Sequence, residues 1–395
     1  MRGEIKSDPT LWIQPHDKLG KLIDADLLAA AQRNWRRVIA YAKRLGQDAS
    51  IAAEELESAV HSLSSLIERH PRFRELGPVV ASCLEDHRTE DILLNADGRV
   101  WVKRTHRDFE VAGSMLPAQA LSAFGTIAAI RDTVINHDNP ILETELPTDG
   151  SRFEGLIPPV VRQPVFAIRQ RPHRVFTLKD YETAGILTDK SDELNRQRHR
   201  DYFVELVRGK RHAEVIRAAI AQRKNILVAG STGSGKTTFI NALLDELAGI
   251  SPDDRVLIIE DTPELQCNVE NSVALLAVGR VSMLDCLRAS MRLKPTRIVV
   301  GEVRGAEALS MLKAWNTGHP GGAASVHAND AHGALIRLES LVAEATAAPQ
   351  QQLIAEAVNV VVFVDGEPSI RAGRKVREVA VVMGYRDGNY ELEYV

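Results

Sequence analysis

Cysteine is nearly missing from this chain. Cys83, Cys267 and Cys286 are the three among 395 residues, and no two form a C-x-x-C pair. That excludes a disulfide framework or a cysteine-ligated zinc module, and leaves three small buried hydrophobes as the expectation. Also missing is any apolar run near the roughly 20 residues that cross a bilayer. The opening Met1-Arg2-Gly3-Glu4-Ile5-Lys6 has none of the apolar character of a signal peptide. A cytoplasmic protein is expected, with any membrane contact made through partners or a surface. An excess of one charge is missing too: 49 Lys plus Arg stand against 53 Asp plus Glu, a net of −4. A protein whose main task is coating nucleic acid is therefore not expected. Internal repeats and low-complexity tracts do not occur.

What is present is the balance of a globular protein, 44% hydrophobic and 26% charged. The length predicts two or three domains. Residues 1–75 read as a helical extension: Leu27, Leu28, Ala31, Trp35, Val38, Ile39 and Ala42 recur at helical spacing, as do Ala52, Leu56, Ala59, Val60, Leu63, Leu66 and Ile67. No chemistry is visible there. Residues 76–188 read as a small α+β domain. Ile92-Leu93-Leu94 and Val100-Trp101-Val102 flank Asn95-Ala96-Asp97-Gly98, a hairpin signal. A helix is predicted after Pro117, strands around Phe153 and at 165–168, and a short helix from Leu178 capped by Thr177. The polar, charged segment 189–200 reads as a linker. Residues 201–395 read as an α/β domain, opening with a helix from about Tyr202 to Gln222. Strand-like runs follow at 226–229, 256–260, 297–301, 323–327, 358–364 and 376–383, with helical runs between them. That alternation predicts a largely parallel sheet covered on both faces.

The first of these strands runs into Gly230-Ser231-Thr232-Gly233-Ser234-Gly235-Lys236-Thr237-Thr238. G-x-x-x-x-G-K-T between a strand and a helix is a phosphate-binding loop. Its glycines permit positive φ, so backbone N–H groups converge on a phosphate chain. The helix that follows turns its positive end to the same anion. Lys236 reaches β- and γ-phosphates, and Thr237 offers a hydroxyl to Mg²⁺.

Two later strands end in carboxylates. The run 256–259 leads to Glu260-Asp261-Thr262-Pro263-Glu264-Leu265, and 297–300 leads to Gly301-Glu302-Val303-Arg304. In a parallel sheet ligands sit at the carboxyl ends of strands. Glu260 or Asp261, and Glu302, are candidates for holding magnesium or aligning the attacking water. Glycine stands where an aspartate is usual before Glu302, and is expected to leave room near the phosphates. The alternatives are an acidic capping turn for the first pair and a salt bridge to Arg304 for Glu302. Histidines 319 and 327 bracket Pro320-Gly321-Gly322-Ala323-Ala324-Ser325-Val326. His327, at the far end of that strand, is the candidate γ-phosphate sensor. For His319 a structural role weighs as much as a functional one.

These blocks, in this order, resemble the secretion ATPase superfamily, which includes type II secretion and type IV pilus ATPases and the VirB11-like type IV secretion ATPases. They match its Walker A, its Asp box (259–265), its atypical Walker B (300–304) and its His box (318–328). Three further segments, 97–102, 150–161 and 313–322, look like the conjugal transfer members. The tetracysteine module of many type II enzymes is absent, and Ser325 stands where the His box often has Thr. The resemblance implies a RecA-like P-loop NTPase domain and a smaller α+β N-terminal domain. It implies hydrolysis of ATP with Mg²⁺, the ion held through Thr237 and Glu302. It also implies a homohexamer at the inner face of the inner membrane, serving components of a secretion or conjugation machinery, and phosphate-reaching arginines at Arg152 and Arg169. Glu260, Glu302 and His327 complete the implied catalytic set. A pilus or type II assembly or retraction motor is the alternative; a non-hydrolysing nucleotide switch and a DNA translocase stand further off.

Overall fold

The computed structural model describes residues 76–172, 177–187 and 196–395, without the side chains of 196–200. The helical extension expected over 1–75 and most of the expected linker lie outside these residues. Among the described residues no helix is long and apolar enough to cross a membrane.

The N-terminal part is a six-stranded antiparallel sheet. Its strands are β1 (Thr89–Leu94), β2 (Arg99–Arg104), β3 (Phe109–Ser114), β4 (Ile141–Glu145), β5 (Arg152–Leu156) and β6 (Val165–Arg169), in the spatial order β3-β2-β1-β6-β5-β4. The predicted hairpin joins β1 and β2: Gly98 takes φ 81° and donates to Asn95 O at 2.9 Å. Helices α1 (Gly77–Glu85) and α2 (Pro117–Ile130) accompany the sheet. Phe124 of α2 meets Phe153 and Phe166 edge-on, with centroids 5.4 and 6.2 Å away. A short α3 (Leu178–Thr183) is closed by the predicted cap, Thr177 with Asp180 as its reciprocal partner.

Two helices, α4 (Arg196–Val207) and α5 (His212–Ala221), lead into the second part. The sequence predicts one helix from 202 to 222. It is broken because Gly209 takes φ 69°, left-handed, after which a new cap forms at Arg211. The first of the two begins inside the segment read as a linker.

The second sheet has eight strands: β7 (Ile226–Ala229), β8 (Val256–Glu260), β9 (Ser272–Leu276), β10 (Arg297–Val300), β11 (Ala323–Val326), β12 (Val360–Gly366), β13 (Arg374–Arg386) and β14 (Asn389–Tyr394). Their order is β14-β13-β12-β7-β11-β10-β8-β9. From β12 to β9 every pairing is parallel, and β12-β13-β14 is an antiparallel flank. The sheet is thus mixed, and β9 and β14 are additions to the predicted strands. Its helices are α6 (Lys236–Ile250), α7 (Met283–Arg292), α8 (Glu307–Asn316), α9 (Ala331–Ala343) and α10 (Gln351–Ala357). They cover both faces. Leu227 and Ala229 enter one core, Ile226 and Val228 the other. That two-sided burial is why the central strands read as unbroken apolar runs.

The antiparallel sheet packs on the β9–α7 edge of the mixed one. Leu93, Trp101, Leu156, Val160 and Val165 share a core with Val273, Leu275, Cys286, Leu287 and Leu293. Polar links pin the junction. Leu276 N donates to Val160 O at 2.7 Å. Asn95 Nδ2 donates to Asn271 Oδ1 at 3.0 Å, and Arg255 Nη1 to Asn95 Oδ1 at 2.7 Å. Asp91 pairs with Lys294 at 2.9 Å. Arg255 is fully buried, and that desolvation pulls its guanidinium down to about 9. The three cysteines are free thiols; Cys83 and Cys286 are buried as expected, whereas Cys267 is half-buried.

Candidate nucleotide site

Parallel register brings the separate motifs together. Ala229 pairs with Val326, Val300 with Ala324, and Ile259 with Val300. The segments that follow β7, β8, β10 and β11 therefore leave the sheet side by side at its carboxyl edge.

The loop 230–235 wraps tightly before α6. Gly233 and Gly235 take φ 78° and 94°. Gly230 has no room for a side chain, since a Cβ there would lie 2.4 Å from both Ser234 Oγ and Val364 O. Lys236 is buried, and its Nζ donates to Gly230 O and Ser231 O, both at 3.0 Å. Burial lowers its ammonium from the ordinary lysine value, with Glu302 opposing the shift. Thr237 is half-buried and Thr238 exposed.

A chain of polar contacts runs from that ammonium. Lys236 Nζ lies 3.3 Å from His327 Nδ1, and His327 Nε2 lies 2.8 Å from Glu302 Oε1. Arg304 Nη2 donates to Glu302 Oε2 at 2.9 Å, and its Nη1 reaches Asp261. The salt bridge weighed as an alternative for Glu302 is therefore present, and it coexists with the histidine contact. Burial alone would raise the Glu302 carboxyl. The hydrogen bond and charge of Arg304, with His327 and Lys236 behind them, outweigh it and hold Glu302 below the ordinary glutamate value. Glu260 behaves oppositely. It is buried, and desolvation raises its carboxyl despite bonds accepted by its Oε1 from Glu264 N at 3.0 Å and Leu265 N at 2.9 Å. Two carboxylates on neighbouring strands are thus driven apart in acidity.

Gly301, expected to leave room near the phosphates, leaves room for a neighbouring side chain. A Cβ there would lie 3.0 Å from Glu260 Cγ, so its space admits the Glu260 side chain. Its carbonyl accepts from Ser325 Oγ at 2.6 Å. His319 stands away from the cluster. Residues 318–322 precede β11 and so lie at the amino edge of the sheet, where His319 Nδ1 meets Pro295 O at 2.9 Å. The adjacent glycines pack structure: Gly321 N and Gly322 N donate to Asn225 Oδ1, and a Cβ on Gly322 would sit 2.3 Å from both Trp315 Nε1 and Ile298 O.

Arg152 and Arg169 are register partners across β5 and β6, both exposed. Among the described residues no hydrogen bond or ion pair joins either to the cluster. Arg169 is also in register with Asp91, whose carboxylate holds Lys294 just before β10. The arginine pair therefore lies toward the amino edge of the mixed sheet, away from Lys236. Arg374, which no motif marks, donates to Thr238 Oγ1 at 3.0 Å.

The residues fit a magnesium nucleotide. Glu302 Oε1 is buried without an aligned hydrogen-bond donor, and Ser234 Oγ is buried without a partner. Among the described residues no group of three or more His, Cys, Asp or Glu is placed to hold a metal ion.

Residues 207–365 match the family described as type II/IV secretion system protein. The conjugal transfer protein TrbB of Rhizobium radiobacter is 41% identical over 333 residues, which span 83% of this chain and 96% of that protein. The chain belongs to the TrbB/VirB11 family of secretion ATPases. The type IV secretion system protein VirB11 of Bartonella henselae is 30% identical over 288 residues, 67% of this chain and 79% of that one. The crystal structure of the Brucella suis VirB11 ATPase in complex with sulphate superposes with a TM-score of 0.69 at 28% identity, covering 82% of this chain and 96% of that chain. The α/β architecture with its mixed sheet is thus that of a VirB11 ATPase.

Proposed function

We propose that this protein is a RecA-like, Mg²⁺-dependent ATP hydrolase that works as a homohexamer to power a type IV secretion or conjugal transfer apparatus. The observation that carries the reading is the contact chain Lys236–His327–Glu302–Arg304, built from three separate motifs at one sheet edge. A triphosphate on the amides of 231–238 meets the α6 positive end and the Lys236 ammonium. Bound Mg²⁺ would neutralise charge on the outer phosphates, with Thr237 and Glu302 as its protein ligands. Glu302, held ionised by Arg304, suits that role. Glu260, with its raised carboxyl, is the better proton acceptor and is assigned the attacking water. His327 lies against both Lys236 and Glu302, so a terminal phosphate that draws on the ammonium also changes what the imidazole bonds.

Arg152 and Arg169 supply guanidinium charge to a phosphate from a neighbouring copy, or after the N-terminal sheet moves. A swing about 189–200 has to break the Asn95–Arg255 and Asp91–Lys294 links and part the apolar core the two sheets share. The reading places the ring at the inner face of the inner membrane against partner proteins of the apparatus. A pilus or type II motor would use the same cluster; the TrbB likeness over 96% of that protein's length favours conjugal transfer. The test is phosphate release by purified full-length protein with ATP, with and without Mg²⁺, alongside its mass by light scattering. Metal-dependent turnover by a six-copy particle is expected. No affinity for adenine nucleotides in magnesium buffer would overturn the reading.

A further inference from the structure

The phosphate-binding loop carries a cation from an unmarked part of the chain. Arg374 opens β13, at the end of the hairpin after β12. Its Nη1 donates to Thr238 Oγ1 at 3.0 Å. Its side chain lies across Gly235: a Cβ built there would be 2.3 Å from Nη1, 2.7 Å from Cδ and 3.0 Å from Cζ. The hairpin is fixed in this place. Val364 O abuts Gly230. Glu367 N donates to Gly373 O at 3.0 Å. Arg377 donates to Gly366 O at 3.3 Å and pairs with Glu367 at 2.9 Å and Asp365 at 3.8 Å. Arg377 thus takes the hairpin's carboxylates. Among the described residues no carboxylate pairs with Arg374.

A guanidinium beside the positive end of α6 is repelled until an anion arrives. The loop has a further polar atom waiting: Ser234 is 3% exposed and its Oγ has no partner. Sheet order says which part of the anion Arg374 meets. Glu302 and His327 flank β7 from the β11–β10 side, and Arg374 flanks it from the β12–β13 side. A polyphosphate lying across the loop has its terminal phosphate toward Glu302 and His327. Its inner, nucleoside-bearing end then lies toward Arg374.

We propose that Arg374 is a further nucleotide-binding residue that holds the inner phosphate of a nucleoside di- or triphosphate. The assignment rests on the nucleotide reading above. It requires ADP and ATP to depend on Arg374 equally, because both carry that phosphate.

The test is equilibrium binding of ADP and ATP in magnesium buffer to full-length wild type, Arg374→Ala, Arg374→Lys and Lys236→Ala, with steady-state hydrolysis on the same samples. Arg374→Ala is expected to weaken both nucleotides by the same factor, about tenfold for one exposed charge-assisted bond. KM for ATP should rise by that factor with a smaller change in kcat, and Arg374→Lys should recover part of the loss. Affinities unchanged in Arg374→Ala, with binding lost in Lys236→Ala, overturn the role of Arg374 and leave the nucleotide reading standing. A loss confined to ATP moves Arg374 to the terminal phosphate and overturns the inner-end placement. Wild type that binds neither nucleotide overturns both.

Discussion

The Nζ of Lys236 lies 3.3 Å from the Nδ1 of His327. An ammonium can only donate, so this nitrogen of the imidazole accepts and the neutral ring carries its proton on Nε2. Nε2 is 2.8 Å from Glu302 Oε1. One side chain therefore stands between the loop proposed to bind phosphate and the carboxylate at the end of β10. Removing the ammonium breaks the first link and strips the loop of its buried cation. Lys236→Ala is expected to abolish hydrolysis, read as phosphate release at saturating ATP. Turnover near the wild-type rate would place the site elsewhere.

The two glutamates should separate in their kinetics. Glu302→Gln removes the proposed ionised ligand, and Glu260→Gln removes the proposed proton acceptor. Both should cut kcat by about 10²-fold or more. Glu302→Gln should also weaken the magnesium dependence, seen as a higher Mg²⁺ concentration at half-maximal rate. Gly301→Ala places a methyl 3.0 Å from Glu260 Cγ and should displace that carboxylate. Its expected signature is a fall in kcat with nucleotide affinity retained.

Arg304 sets a pH dependence. Its bond and charge outweigh burial and keep the Glu302 carboxyl below the ordinary value. A depressed carboxyl stays ionised to lower pH, so in the wild type Glu302 titrates below Glu260, whose raised carboxyl sets the acidic limb of kcat/KM. Arg304→Ala leaves burial unopposed by its main counterweight, and the carboxyl rises. The acidic limb should move to higher pH in that variant as Glu302 joins it, measured on ATP hydrolysis across pH 5–8. A limb that stays in place would show that Glu302 still titrates below Glu260 without Arg304.

Much of this site is legible along the chain because it is built from local signals. The loop 230–238 advertises itself through glycine spacing, and β7 and β8 have the boundaries their apolar runs predict. What the chain hides is set by pairing. β9 is an edge strand with alternating burial whose short apolar run, Val273-Ala274-Leu275-Leu276, does not by itself mark a strand, and β14 is a half-exposed partner of β13 with no apolar run at all. The room at Gly301 belongs to Glu260, a fact of strand adjacency that sequence distance conceals. Arg374 reaches the loop from 136 positions away through β12–β13 geometry, with no motif around it. His327 and His319 lie eight residues apart in equally suggestive surroundings, yet one strand carries them to opposite edges of the sheet.

A buried acid at the junction of the two sheets offers a stability test. Glu154 is 3% exposed, and its Oε2 has no hydrogen-bond partner. Burial, with the nearby Glu143 charge, pushes its carboxyl up to about 8 against the pull of Arg292. The folded state therefore keeps a proton that the unfolded chain releases near the ordinary glutamate value of 4.5. The stability this proton contributes is full below that value and is lost as pH rises toward about 8, at up to ~1.4 kcal/mol per pH unit. Glu154→Gln cannot titrate. It should be more stable than wild type at pH 8, with the difference shrinking toward pH 5, in thermal or denaturant melts. Parallel pH profiles for the two proteins would rule this out.

The amino edge of the mixed sheet is held by a buried ion network, and its failure should be costly without touching the chemistry. Arg297 is 1% exposed; its Nε donates to Asp254 Oδ2 at 2.5 Å, and its Nη2 donates to Ile220 O at 3.1 Å. Arg223 reaches the other oxygen of Asp254. Desolvation lowers the Arg297 guanidinium, and the Asp254 bond opposes it. Asp254→Ala leaves a buried guanidinium with carbonyls and a hydroxyl but no counter-charge, a change that costs about 3–5 kcal/mol. Replacing both partners, Asp254→Leu with Arg297→Met, removes the stranded charge and should recover a large part of that loss. The measurement is the denaturant midpoint of the three proteins. If the single and double variants melt together, the cost of Asp254→Ala lies in packing and not in the charge it abandons.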